Sequence, residues 1–141
     1  MKKMERYVVT LLLLATTNIF AQTDSSKIVV FDKTVYDFGI VNTSCEKLKC
    51  TYTLTNVSDK PIYILRVVPS CGCTTVEWTR EPISQNGTGN ICAYYSNDEE
   101  GEHPFNKGLR VFISDTDNII DKPVVLRFRG EFKDKTDAVV N

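Results

Sequence analysis

The sequence predicts an all-β protein, an immunoglobulin-like β-sandwich of seven to nine short, mostly antiparallel strands. Three observations carry that expectation. From Lys27 onward there is no helical period of useful length, and apolar residues alternate with polar ones, the period of a half-buried strand. The alternating runs are short, and turn-forming clusters such as Asn56-Val-Ser-Asp59 and Ser84-Gln-Asn-Gly-Thr-Gly89 separate them. The number of such runs between Ile28 and Phe132 suits two packed sheets better than a small closed barrel, the structural alternative.

Taken in order, Ile28 to Phe31 is a first short strand, and Val35 to Val41 a second with Gly39 as a bend. Lys47 to Asn56 alternates most cleanly: Leu48, Cys50, Tyr52 and Leu54 face one way, and Lys47, Lys49, Thr51, Thr53 and Thr55 the other. Pro61 to Val68 follows, its proline at the start, where a missing N–H is tolerated. Thr74 to Trp78 is a short strand. Ile91, Ala93 and Tyr95 share a face, with Cys92 and Tyr94 behind it. Asn97 to Pro104 reads as an acidic loop. Lys107 to Ser114 and Pro123 to Phe132 form a last pair joined by Asp115 to Asp121.

The two ends fall outside this domain, which is expected over residues 28–132. Residues 1–21 have the order of a secretory signal peptide: basic Lys2, Lys3 and Arg6, an apolar stretch from Tyr7 to Phe20, and the small residue Ala21 at the cleavage point. That stretch is shorter than the roughly 20 apolar residues of a membrane span, so the mature chain is expected to be exported, periplasmic or extracellular, and not membrane-spanning. Residues 133–141 read as a polar C-terminal tail. Setting Lys2, Lys3, Arg6 and Glu5 aside leaves 14 basic and 17 acidic residues of the 17 and 18 in the full chain. With no clustered basic run, nucleic acid is not an expected partner.

Chemistry concentrates in Ser70-Cys-Gly-Cys-Thr-Thr75. Two thiols two residues apart can pack, bridge, exchange or hold a thiophilic metal. In a flat strand the Cα atoms of Cys71 and Cys73 would stand about 6.6 Å apart with parallel Cβ vectors, the far edge of disulfide range. A bridge therefore requires a turn, which Gly72 permits for want of a Cβ. Such a small ring would be easily reduced. The plain structural reading is a tight crossover in which Gly72 supplies an unusual backbone angle. Export allows disulfides, and five cysteines leave one thiol over. Cys45, in a loop, and Cys92 are the candidate partners for the pair. Cys50 shares core parity with Tyr52 and Leu54 and is expected as a small buried hydrophobe. If a metal binds at Cys71 and Cys73, Cu(I), which accepts few sulfur ligands, fits better than four-coordinate zinc. Otherwise no cofactor is expected.

Other features read as structure. His103, the sole histidine, is expected at the surface. Asp98-Glu-Glu-Gly-Glu102 lacks regular calcium-ligand spacing and reads as a charged hairpin tip. Arg66, Arg80, Arg110, Arg127 and Arg129 read as solvated strand faces. There is no G-x-S-x-G, P-loop or H-E-x-x-H.

Tyr36-Asp-Phe-Gly-Ile40, Tyr52-Thr-Leu-Thr-Asn56, Ser70-Cys-Gly-Cys-Thr-Thr75, Gly101 with a strand ending in Ile113-Ser114, and Leu126-Arg-Phe-Arg-Gly130 occur in that order. In these the chain resembles the bacterial domain-of-unknown-function family 1573, and more broadly the immunoglobulin-like domains related to ASPM, SPD-2 and hydin. The resemblance implies a sandwich, export and no established activity, with relatives in the wider group serving mostly as binding or scaffolding modules. It assigns nothing to Cys45, Cys50 or Cys92. The chain departs from it where Gln85-Asn-Gly-Thr-Gly89 stands in place of a Pro-Gly-Lys-like turn.

The expected function is thus that of a non-enzymatic, exported module binding an unknown envelope protein by strand-edge pairing. Ile28 to Phe31 and Pro123 to Phe132 are the candidate edges. The alternative is a periplasmic thiol-redox or copper-binding protein working through Cys71 and Cys73.

Overall fold

A computed structural model describes residues 28–116 and 122–134. The expected signal peptide over 1–21 and tail residues 135–141 lie outside the described residues, as does most of the connection before the last strand. Among the described residues eight strands form: β1 (Val29–Phe31), β2 (Val35–Asn42), β3 (Lys47–Asn56), β4 (Ile62–Pro69), β5 (Thr74–Trp78), β6 (Thr88–Ser96), β7 (His103–Asp115) and β8 (Val124–Lys133). They make two four-stranded sheets, ordered β1-β3-β6-β5 and β2-β8-β7-β4. The fold is the all-β sandwich that the alternation predicts. All pairings are antiparallel except β2 with β8.

The chain stays within one sheet only from β5 to β6 and from β7 to β8, and changes sheet at every other connection between the described strands. Gly39 is the bend expected of it. Its φ of 65° is left-handed, the β2–β8 register shifts between Asp37 and Ile40, and its N–H donates to Asp37 Oδ1 at 2.8 Å. This is bulge chemistry on an outer strand.

Several boundaries differ from expectation. β7 begins at His103, so Pro104 and Phe105 belong to a strand and not to the acidic loop. Phe105 pairs with Gly130 of β8, and its buried ring rewards the extension. Pro104 is accommodated because β4 reaches only Leu109, leaving β7 a neighbour on one side there. β6 begins at Thr88 because the ladder with β3 runs on through Leu54–Gly89 and Thr55–Thr88. Lys133 closes β8, and the Asp134 N–H donates to Glu102 Oε1 at 2.9 Å, so neither residue belongs to a free tail.

Pro123 to Phe132 is not an edge. β8 lies between β2 and β7, because β2 crosses from the first sheet to pair with it in parallel. Ile28 to Phe31 is an edge, as expected: β1 is the outermost strand of its sheet.

The core lies between the sheets. Tyr52, Leu54, Ile91 and Tyr95 meet Leu109, Val111, Leu126, Phe128 and Phe132, all essentially inaccessible. Tyr95 and Phe105 stack with ring centroids 5.1 Å apart, and Phe105 and Phe132 lie 5.1 Å apart. Asn56 is fully buried. It donates through Nδ2 to the carbonyls of Lys60 and Ile83 at 2.7 and 2.8 Å and accepts at Oδ1 from Ser58, so one amide organises the turn after β3.

Gly130 makes room for Phe105. A Cβ there would stand 2.7 and 2.9 Å from two ring carbons of Phe105 and 3.0 Å from the Gly39 carbonyl oxygen. Gly130→Ala is expected to lower stability by about 1–3 kcal/mol through overpacking, read as a lower midpoint in thermal unfolding. An unchanged midpoint would show that the aromatic cluster yields freely.

Candidate functional site

Cys71, Gly72 and Cys73 occupy the crossover from β4, the edge of one sheet, to β5, the edge of the other. The crossover is pinned at both ends. The Ser70 N–H donates to the Gly108 carbonyl at 2.9 Å, and the Gly108 N–H donates back to Ser70 Oγ at 3.0 Å, holding the departing chain to β7. At the other end the Ser96 N–H donates to the Cys73 carbonyl at 2.8 Å, joining the arriving chain to β6. Three residues thus span the sandwich from one hydrogen-bonded ladder to the other.

The turn brings the two Cα atoms to 5.3 Å and places the Sγ atoms at bonding distance. Cys71 Sγ also lies 3.5 Å from Oγ1 of buried Thr74. Both cysteines are half-buried, Cys73 against the core, while Gly72 is exposed at the tip. The backbone angle expected of Gly72 is not found: its φ is not left-handed, and a Cβ there would meet nothing within 4 Å. The turn is made by the pinned ends, not by glycine's special freedom.

The structure does not bring the candidate partners to this pair. Cys45, in the β2–β3 connection, donates its N–H to the Asn42 carbonyl at 2.9 Å. It shares a rim with Cys73, but β6 stands between them: the Asn97 N–H reaches the Glu46 carbonyl on one side, as Ser96 reaches Cys73 on the other. Two strand spacings are about 10 Å, beyond disulfide reach. Cys92 sits mid-strand on the outer face of the first sheet, opposite Thr51 and Glu77, with Sγ 3.5 Å from Thr51 Oγ1. Cys45, Cys50 and Cys92 are free thiols. Cys50 has the buried position its parity predicts, and burial pushes its thiol pKa up.

Two groups near the same rim escaped the sequence reading. His103 is not a surface group: only 13% of its side chain is exposed, and its ring lies 5.0 Å from that of Phe132. Nδ1 is 3.0 Å from the Gly101 carbonyl, and Nε2 is 4.0 Å from Glu99. The Tyr95 hydroxyl is buried without a hydrogen-bond partner among the described residues, and burial raises its pKa. The signal for both was the aromatic run of β7 and β8, which buries what stands beside it. Among the described residues no three His, Cys, Asp or Glu side chains come together as a metal site. Among the same residues no helix is long and apolar enough to cross a membrane.

The free thiols should separate by burial. A raised folded pKa favours the neutral thiol, so its contribution to stability is complete below the ordinary thiol range and is lost as pH rises through the folded value. Alkylation of the native protein at mildly alkaline pH is expected to label Cys45 and Cys92 at least about tenfold faster than Cys50, with labelling followed by mass spectrometry. Labelling of Cys50 at the same rate as the other two would place it outside the core.

The chain matches the family described as "Protein of unknown function (DUF1573)" over residues 29–132, and it belongs to that family. No curated protein matches the sequence. Several solved structures share the fold. A protein of unknown function from Porphyromonas gingivalis W83 aligns with a TM-score of 0.59 and 14% identity, over 74% of this chain and 46% of that one, so the chain spans less than half its length. The ASH / PapD-like domain 7 of human CEP192 gives a TM-score of 0.55 at 10% identity, over 85% of this chain and 94% of that one. The periplasmic chaperone SfaE gives 0.52 at 9%, over 79% and 60%. At these identities the likeness is one of fold.

Proposed function

We propose that this family member is an exported, non-enzymatic module that binds a protein partner of the cell envelope by strand-edge pairing. The observation that carries the reading is the place of β1 as an outermost strand, with no strand beyond it among the described residues. Antiparallel bonds to β3 flank the strand, from the Val57 N–H to the Ile28 carbonyl at 2.9 Å and from the Asp32 N–H to the Thr53 carbonyl at 2.9 Å. By alternation the backbone groups of Val29 and Phe31 point the other way, off the sheet. The remaining edges are blunted. β2 carries the bulge at Gly39. β4 ends in Pro69, exchanges two backbone bonds with Ile83 through Ile62, and receives the Trp78 indole N–H at the Ile64 carbonyl. β5 stands beside β4 at the crossover. A short outermost strand without bulge, proline or side-chain cap among the described residues suits the addition of an extended segment. The leader-like residues 1–21 supply the localisation, and the name of one structural neighbour, a periplasmic chaperone, agrees with a protein-binding role.

Val29→Pro removes an outward donor and leaves both flanking bonds to β3. Cross-linking of the tagged protein in envelope fractions should give a partner whose yield falls about tenfold in this variant, the worth of one or two main-chain hydrogen bonds. Thermal unfolding of the same variant reports whether it is folded, and Val30→Lys, which sets a charge on the exposed side of the strand, serves if it is not. An undiminished partner on a folded variant rules out the β1 edge.

One observation favours thiol exchange as a second reading: the two sulfurs meet at a half-buried, pinned turn whose tip is exposed. As a disulfide, the pair would accept a partner thiolate at one sulfur, form a mixed disulfide, and leave as two thiols when the partner's second thiol closes. Reduced, the same sulfurs are the ones Cu(I) would take, so bridge and metal are alternative states of one site. Cys71→Ser with Cys73→Ser distinguishes the readings. Binding predicts a stability loss of about 1–2 kcal/mol with partner capture intact. Exchange predicts a folded protein that no longer oxidises a model dithiol.

A further inference from the structure

The arginines that look scattered in sequence are gathered by the second sheet. Arg127 and Arg129 of β8, Arg110 of β7 and Arg66 of β4 are all exposed and flanked by the buried residues Leu126, Phe128, Leu109, Val111 and Val67, which places them together on the outer face. Register orders them further. Arg127 stands opposite Gly108, Arg110 opposite Val125 and Val68, and Arg66 opposite Phe112. Arg127, Arg110 and Arg66 are therefore diagonal neighbours on three adjacent strands, each step roughly 7–8 Å.

This line is not neutralised from within. Arg129 is held by Asp37 at 3.0 Å, and Glu131 lies 3.4 Å from Lys133, whereas Arg66, Arg110 and Arg127 make no ion pair among the described residues. Like charges on neighbouring strands disfavour folding, so the row invites an external anion. Apolar groups stand between the guanidiniums. Val35, beside Arg127, and Val125, beside Arg110, are 45% and 48% exposed. Phe112 is half-buried, with the Arg66 guanidinium 4.1 Å from its ring centre.

We infer that this face is a docking surface for an acidic protein segment, one alternating carboxylates with apolar side chains. The inference rests on the protein-binding reading above and supplies the chemistry of the partner. Guanidinium forks match carboxylates two bonds at a time, and the valines and Phe112 offer an extended peptide's other side chains a surface that a phosphate-rich lipid headgroup would not use. A second copy fits less well. The acidic tip at Asp98 to Glu102 is partly engaged, with Glu99 beside His103 and Glu102 accepting from Asp134.

The test uses the folded mature chain and a fluorescent peptide of about ten alternating Glu and Val residues, long enough at about 3.3 Å per residue to cross the row. Binding by anisotropy should weaken with salt. It should fall roughly tenfold or more in Arg66→Gln/Arg110→Gln/Arg127→Gln, and stay unchanged in Lys47→Gln/Lys49→Gln on the opposite face. Val29→Pro should keep peptide binding, so loss of the β1 edge and loss of this face are told apart. The inference is overturned if the peptide does not bind, if both charge variants lose it equally, if vesicles of phosphatidylglycerol bind while the peptide does not, or if the salt-sensitive event is self-association of the chain. A captured envelope partner unaffected by the triple Arg variant would likewise overturn it and leave the module reading standing.

Discussion

A hydrogen bond through the core joins the two sheets. Tyr52, fully buried on β3 of the first sheet, donates its hydroxyl proton across the core to the Arg127 carbonyl of β8 in the second, at 2.7 Å. A buried phenol left without a partner costs about 1–3 kcal/mol, so the bond favours the relative position of the sheets that satisfies it. Burial and its neighbours push the Tyr52 pKa far above the ordinary phenol range, which keeps the proton on the donor. Apolar burial around this bond fixes the parity of β8. With Leu126 and Phe128 turned inward, Arg127 and Arg129 are turned out, and the charged outer face follows from the packing of the inner one.

The crossover at Ser70 to Cys73 answers a second constraint. β4 and β5 belong to different sheets, and the chain must pass between them without leaving ladder groups unpaired. Ser70 and Gly108 exchange bonds at the exit and Cys73 and Ser96 bond at the entry. Between these fixed points the two thiols have little choice but to approach each other. The β1 edge, the outer arginine face and the thiol pair therefore sit on one framework: β1 closes one sheet, the crossover joins both, and Arg127 shares a cross-strand row with Gly108, the residue that pins Ser70.

The alternation along β3, β6 and the later half of β7 was legible because period two survives wherever one face is buried. Leu48, Cys50, Tyr52 and Leu54 are inside, and Cys92 and Tyr94 stand on the other face of β6. The Gly39 bend was legible too, from a residue free to take a left-handed angle. Where reading failed, a neighbour made the difference. His103 and Pro104 looked like loop residues until β8 gave them a partner strand, and β8 looked like an edge until β2 crossed over to cover it.

By itself the sequence determined the fold class, the approximate strands, the inward set of β3 and β6, and the presence of two close thiols, because each follows from spacing along the chain. Tertiary structure alone decided which strands are edges, that Cys45 and Cys92 stand apart from Cys71 and Cys73, and that three arginines far apart in sequence form one diagonal row. The physical reason is the same in each case. Strand order and register are set by long-range pairing between faces that bury together, and no local pattern records which strand will lie beside which.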